Sequence, residues 1–176
     1  MISFGFNHTD LDRIERAVEK VAAQARIEKE ALPYRCAREF RGILFNNILT
    51  QKYATSYAPY SPRYAEWKTQ IMGIAPKFWS LFGDLLNSLT IEMIHNGWFA
   101  GLPGDVMDSG GKSWFGTKAT RRGKSKPISM YASVMELGLN NHPARPVIGP
   151  TTEEYAADGW LKQGAVSLRK IGNAWT

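Results

Sequence analysis

A single cysteine, Cys36, in 176 residues excludes an internal disulfide framework and any cysteine-based zinc cluster. The expected state of Cys36 is a reduced, partly buried thiol in a cytosolic fold, with a bond between subunits left open. Histidine is also scarce. His8, His95 and His142 lie far apart, with no cysteine or carboxylate at ligand spacing, so no metal site is expected. No stretch approaches the roughly 18 consecutive apolar residues of a membrane helix. The opening residues, Met1 to His8, have neither a basic segment nor a long apolar run. These absences predict a soluble protein made in the cytoplasm.

One further absence is local. Residues 112–126 contain no Asp or Glu, yet they hold Lys112, Lys118, Arg121, Arg122, Lys124 and Lys126. The chain carries 22 basic and 16 acidic residues, a net charge of +6, so the remainder balances at 16 of each. A uniformly basic, histone-like coat is thereby excluded. The chain is a neutral body with one cationic segment. Its 44% apolar and 12% aromatic content suffices for a core and excludes wholesale disorder. The length fits a single domain of residues 1–176.

Periodicity predicts an α+β fold: N-terminal helices over 10–53, a small antiparallel sheet with a long loop, and a C-terminal helix over 152–171. Thr9 to Asp12 reads as a capping box, after which Leu11, Ile14, Val18, Val21 and Ala25 recur every three or four residues. That helix is expected to end near Glu30, before Pro33. A second helix then buries Phe40, Ile43, Leu44 and Ile48, with Arg35, Arg38 and Arg41 facing solvent. Ser61-Pro62 is an N-cap and N1 pair for a short helix bearing Tyr64, Trp67 and Ile71. Leu89 to His95 reads as a strand, and Asn96-Gly97 is a type I′ hairpin signal leading to Trp98-Phe99-Ala100. Residues 103–127 read as a long Gly-, Ser- and Lys/Arg-rich loop. Pro143 to Ile148 predicts an extended approach to a short strand. The last helix sets Tyr155, Leu161, Ala165 and Leu168 on one side.

Candidate chemistry is sparse. Gly110-Gly111-Lys112-Ser113 suggests a phosphate loop, but the glycine required five positions before Gly111 is Val106. The same residues match Ser-x-x-Lys from Ser109, although two intervening glycines argue against the helix which that motif needs. Glu66-Trp67-Lys68 resembles half of a metal-dependent nuclease site, but Glu39 is the only carboxylate between Ala31 and Ala65. A core-facing Trp67 with solvated flanking charges accounts for it better. No catalytic residue, cofactor or metal is therefore expected. Lys112, Trp114, Phe115, Lys118, Arg121, Arg122, Lys124 and Lys126 form the candidate interaction segment, because cations interleaved with aromatics can meet phosphates and stack on bases. An acidic surface on a neighbouring subunit would suit the same segment, as would plain solvation.

Four segments carry a resemblance: Tyr57 to Lys68 (YAPYSPRYAEWK), Phe82 to Leu89 (FGDLLNSL), Tyr131 to Gly138 (YASVMELG) and Pro143 to Gly149 (PARPVIG). In that order they resemble the virion-morphogenesis, or tail-completion and neck, proteins of tailed bacteriophages. The likeness covers roughly residues 55–150. The sequence departs from the family pattern at Phe82, where Thr or Ser is usual, and at Leu86-Asn87, where a basic residue is usual. The resemblance implies a structural subunit of a homo-oligomeric ring at the head–tail junction of the virion, a hexamer favoured over a dodecamer. It implies adjacent connector or neck and tail-tube or sheath proteins as partners, DNA passing through the channel, and no membrane. Arg145 is then a candidate ring-contact residue, with an intramolecular ion pair or backbone contact as the other reading. The alternative function is a sequence-independent nucleic-acid-binding protein using residues 112–126.

Overall fold

A computed structural model describes residues 8–72, 78, 84–95, 97–104, 128–139 and 142–175. The architecture is α+β and mainly helical. A long α1 (His8–Leu49) is followed by a 3-10 turn (Ala54–Ser56), α2 (Pro62–Met72) and a one-turn α3 (Asp84–Asn87). An antiparallel hairpin of β1 (Thr90–Ile94) and β2 (Gly97–Gly101) comes next, then α4 (Ile128–Leu137) and α5 (Ile148–Asn173).

The two expected N-terminal helices are one. Pro33 lies inside α1, where the missing N–H and the ring ordinarily cost about 3 kcal/mol. The helix continues because α5 runs antiparallel along it and grips it on both sides of the proline. Arg35 donates to Ser167 and to Glu28 Oε2 (2.6 Å), and Lys170 Nζ lies 3.4 Å from Glu28 Oε1. Beyond them Gln163 donates to Glu39 (2.9 Å), and Asn47 donates to Thr151 (3.0 Å). Glu28 is buried, which alone would raise its pKa. Hydrogen bonds from Arg35, Ser167 and Lys170 outweigh that and hold the carboxyl below its ordinary value. Of the three arginines expected in solvent, only Arg38 is exposed, since Arg35 joins this clasp and Arg41 Nε donates to the Leu89 carbonyl at 2.7 Å.

The core is centred on Leu44, Ile48, Leu89, Ala132 and Val147, with Phe40, Tyr57, Leu85 and Met135 packed around it. The hairpin lies along the middle of α1, where Tyr34 meets Trp98 edge-on at 4.7 Å. Its register pairs Ile94 with Gly97, one residue earlier than the Asn96-Gly97 signal implies, so Gly97 already belongs to β2. Asn96 lies outside the described residues. The strand expected near Val147-Ile148 is instead the start of α5.

Two apolar faces depart from the expected packing. On α1, Leu11, Ile14 and Val18 are 49%, 45% and 51% exposed. On α5, Tyr155 packs edge-on against Phe40 at 5.8 Å, but Leu161 and Leu168 point away and are exposed.

Candidate functional site

The segments that carry the resemblance converge on one buried cluster. Chain direction explains the first part of it. The residue before a proline is held extended, so Ala58-Pro59 presents its carbonyls sideways instead of into a helix. Arg145, 3% exposed, uses its fork to meet them. Nη2 donates to Ala58 O at 3.1 Å and to Pro59 O at 3.5 Å, and Nε donates to Ala58 O at 3.3 Å. Its guanidinium lies over two rings, 4.6 Å from the Tyr60 centroid and 5.1 Å from that of Phe78. The Tyr57 hydroxyl donates to the Pro146 carbonyl at 2.6 Å, adding a second tie between the same two segments.

Phe78 is held in turn by Gln51. This residue takes a left-handed conformation (φ 57°) just after α1. Its side-chain amide donates to Phe78 O (2.8 Å) and accepts from Phe78 N (2.6 Å), as one strand pairs with another. These bonds offset the roughly 1 kcal/mol that a non-glycine residue loses in that region.

The Ser61-Pro62 start of α2 is as expected, with Tyr64 N donating to Ser61 Oγ at 3.4 Å. The burial along α2 is not. Trp67 is half-buried, and the neighbouring Lys68, expected in solvent, is 2% exposed. Its amine lies 4.8 Å from the Tyr60 ring centroid and donates to the Tyr60 hydroxyl at 3.2 Å. Burial, and secondarily the charge of Arg145, pushes the amine down to about 8. Burial likewise pushes the Tyr60 and Tyr57 hydroxyls up to about 12, and it raises Tyr64 further. Glu66 is exposed, so the Glu66-Trp67-Lys68 triplet splits between solvent and core.

Between pH 8 and 10 the unfolded chain protonates Lys68 more fully than the folded one, so raising the pH relieves a cost of folding. Chemical denaturation should therefore show the wild type gaining stability relative to Lys68→Met as the pH rises across that window. Above pH 10 the trend reverses, because unfolded tyrosines ionise before the buried ones.

Glu136 completes the arrangement from α4. Its Oε2 accepts from Val147 N (2.8 Å) and Ile148 N (3.0 Å), and Oε1 accepts from Gly149 N (2.7 Å). These are the donors that the first turn of α5 cannot satisfy internally, and a carboxylate also suits the positive end of the helix dipole. The capping residue thus comes from a different helix, while Val147 at the N-cap position supplies no side-chain bond.

Gly138 lets the chain turn from α4 toward that contact. It has φ +71°, and its N–H and that of Leu139 both bond to Val134 O, closing α4. A Cβ there would lie 2.7 Å from Ala144 N. Gly138→Ala is expected to lower stability by about 2 kcal/mol, read from the urea midpoint, with far-UV helicity retained.

Among the residues expected to make contacts, Arg145 turns inward, and the contacts described are intramolecular. Lys112, Trp114, Phe115, Lys118, Arg121, Arg122, Lys124 and Lys126 lie outside the described residues. Three members of the cluster escaped sequence reasoning. Gln51 carried no usable signal, whereas Lys68 and the Glu136-x-Gly138 spacing were visible only as parts of motifs. Among the described residues, no group of three or more His, Cys, Asp or Glu side chains could hold a metal ion. No helix among them is long and apolar enough to cross a membrane.

Fold and cluster together define a helix-dominated α+β protein whose motif residues build one internal node, where cations, aromatic rings and backbone carbonyls lock distant segments together. No family model, curated protein or solved structure matches the chain.

Proposed function

We propose that the chain is a structural subunit of a homo-oligomeric ring at the head–tail junction of a tailed bacteriophage. There it acts as a tail terminator, tail-completion or neck protein that joins the tail to the connector. The observation that supports this reading is the convergence of the motif segments. Arg145 of PARP grips the carbonyls of the APYSP segment, Glu136 of the YA…E.G segment caps the helix that PARPVIG begins, and Leu85 and Leu89 pack into the adjoining core. Residues that recur as a set in a structural family are expected to serve such a shared internal node.

The test is compositional. Particles purified from a host carrying the gene should contain the protein at a fixed, small copy number by quantitative mass spectrometry, and imaging should place it between portal and tail. Its absence from intact particles ends the reading. Genes for portal, capsid and tail-tube proteins are expected beside its own.

A second reading, favoured by the confinement of the excess charge to residues 112–126, is sequence-independent nucleic-acid binding. Six phosphate contacts would give log K a slope approaching about −5 against log salt. Neutralising the six basic residues should flatten that slope. Weak affinity that is indifferent to the change removes this reading.

A further inference from the structure

The last ion pair described between the antiparallel α1 and α5 joins Glu28 to Lys170, and α5 ends at Asn173. The first four to five turns of α1 therefore run past the end of α5, an overhang of about 25 Å at 1.5 Å per residue. Its exposed apolar residues, with Val21 and Ala25, recur at spacings of three and four: Leu11, Ile14, Val18, Val21, Ala25. This is the seam pattern of a coiled coil, and among the described residues Leu11, Ile14 and Val18 leave it about half exposed to solvent.

A second seam of the same kind lies on α5, on the face turned away from α1. Ala157, Leu161, Gly164, Leu168 and Ile171 repeat at four and three, and Leu161 and Leu168 are 52% and 71% exposed. Both seams span 15 residues, about 21 Å from first to last. Laid antiparallel, they match position by position. Ile14 meets Leu168, Val21 meets Leu161, and Val18 meets the small Gly164.

The charges beside the seams fit the same register. One shoulder of the overhang carries Glu15, Glu19 and Arg26, all exposed, in the order acid, acid, base. The corresponding shoulder of α5 carries Arg169, Lys162 and Asp158, also exposed, and in the antiparallel direction their order is base, base, acid. Lys162 and Asp158 already pair at 2.5 Å on the surface, an exposed i,i+4 contact that is cheap to rearrange.

We propose that the α1 overhang of one copy packs antiparallel on the outer face of α5 in a second copy, with Glu15, Glu19 and Arg26 facing Arg169, Lys162 and Asp158. The two surfaces are different, so the contact is heterologous, the kind that closes into rings when the rotation permits. The inference rests on the ring reading only in requiring self-association.

Its test uses the full chain with Cys36→Ser. Mixed Ile14→Cys and Leu168→Cys proteins should form an inter-chain disulfide under mild oxidation, and Arg13→Cys with Leu168→Cys should not. Sedimentation velocity should find Glu15→Lys/Glu19→Lys association weakened about tenfold or more by like-charge contacts. Adding Lys162→Glu/Arg169→Glu should restore it to within about threefold. These side chains are exposed, so circular dichroism should report unchanged helicity in every variant. A chain that stays monomeric at about 0.5 mM, a register pair that does not crosslink, or a charge reversal without rescue each overturns the proposal. If the protein is found in particles while the seam variants assemble normally, the seam is refuted and the phage reading stands. If it assembles through the seam but is missing from particles, the reverse holds.

Discussion

Arg145→Ala should lower the unfolding free energy by about 4 kcal/mol, the scale for removing a buried, hydrogen-bonded charge, and the melting temperature by roughly 12 °C. The loss has two physical parts. The Ala58 and Pro59 carbonyls lose their donor, and Tyr60 and Phe78 lose the planar cation stacked over them. Arg145→Lys keeps the charge but not the fork, so it should recover less than half of the stability. A second measurement separates this from generic core damage. The charge of Arg145 is one of the two causes that depress Lys68, so in a folded Arg145→Ala variant, which removes that charge, the Lys68 amine should titrate closer to its ordinary value. Amine-detected NMR would follow it. An unshifted Lys68 together with full stability would remove the role assigned to the cluster.

Glu136→Ala should cost about 3 kcal/mol, because three backbone donors at the start of α5 lose their acceptor together. Glu136→Gln should cost less, since the amide oxygen still accepts but no longer carries charge toward the helix dipole. Amide hydrogen exchange offers the sharper readout. Protection should fall first at the donors that Glu136 caps, Val147, Ile148 and Gly149, while the α1 core around Leu44 and Ile48 keeps its slow exchange. Uniform loss across the chain would mean that the cap does not act locally.

The sequence and the structure agree where the signal is local. Ser61-Pro62 starts α2 because a hydroxyl acceptor followed by a residue without an N–H matches the needs of a helix N-terminus. Alternation and the Asn96-Gly97 signal located the hairpin to within one residue. Local rules failed where a distant segment decides. Pro33 reads as a stop, since nothing within a few residues reveals that α5 will splint α1 across it. Lys68 reads as solvated because lysine usually is, and only the arrival of Tyr60 and Arg145 covers it.

Three properties of this protein follow from the sequence by itself: the confinement of its excess charge to residues 112–126, its apolar periodicities, and its α+β class. Which apolar faces are covered was decided by the tertiary structure. The stripe from Leu11 to Val18 is as regular as that from Phe40 to Ile48, yet one is exposed and the other builds the core. Periodicity reports that a face is apolar. It carries no information about whether another helix is long enough to reach it, and α5 ends before it can.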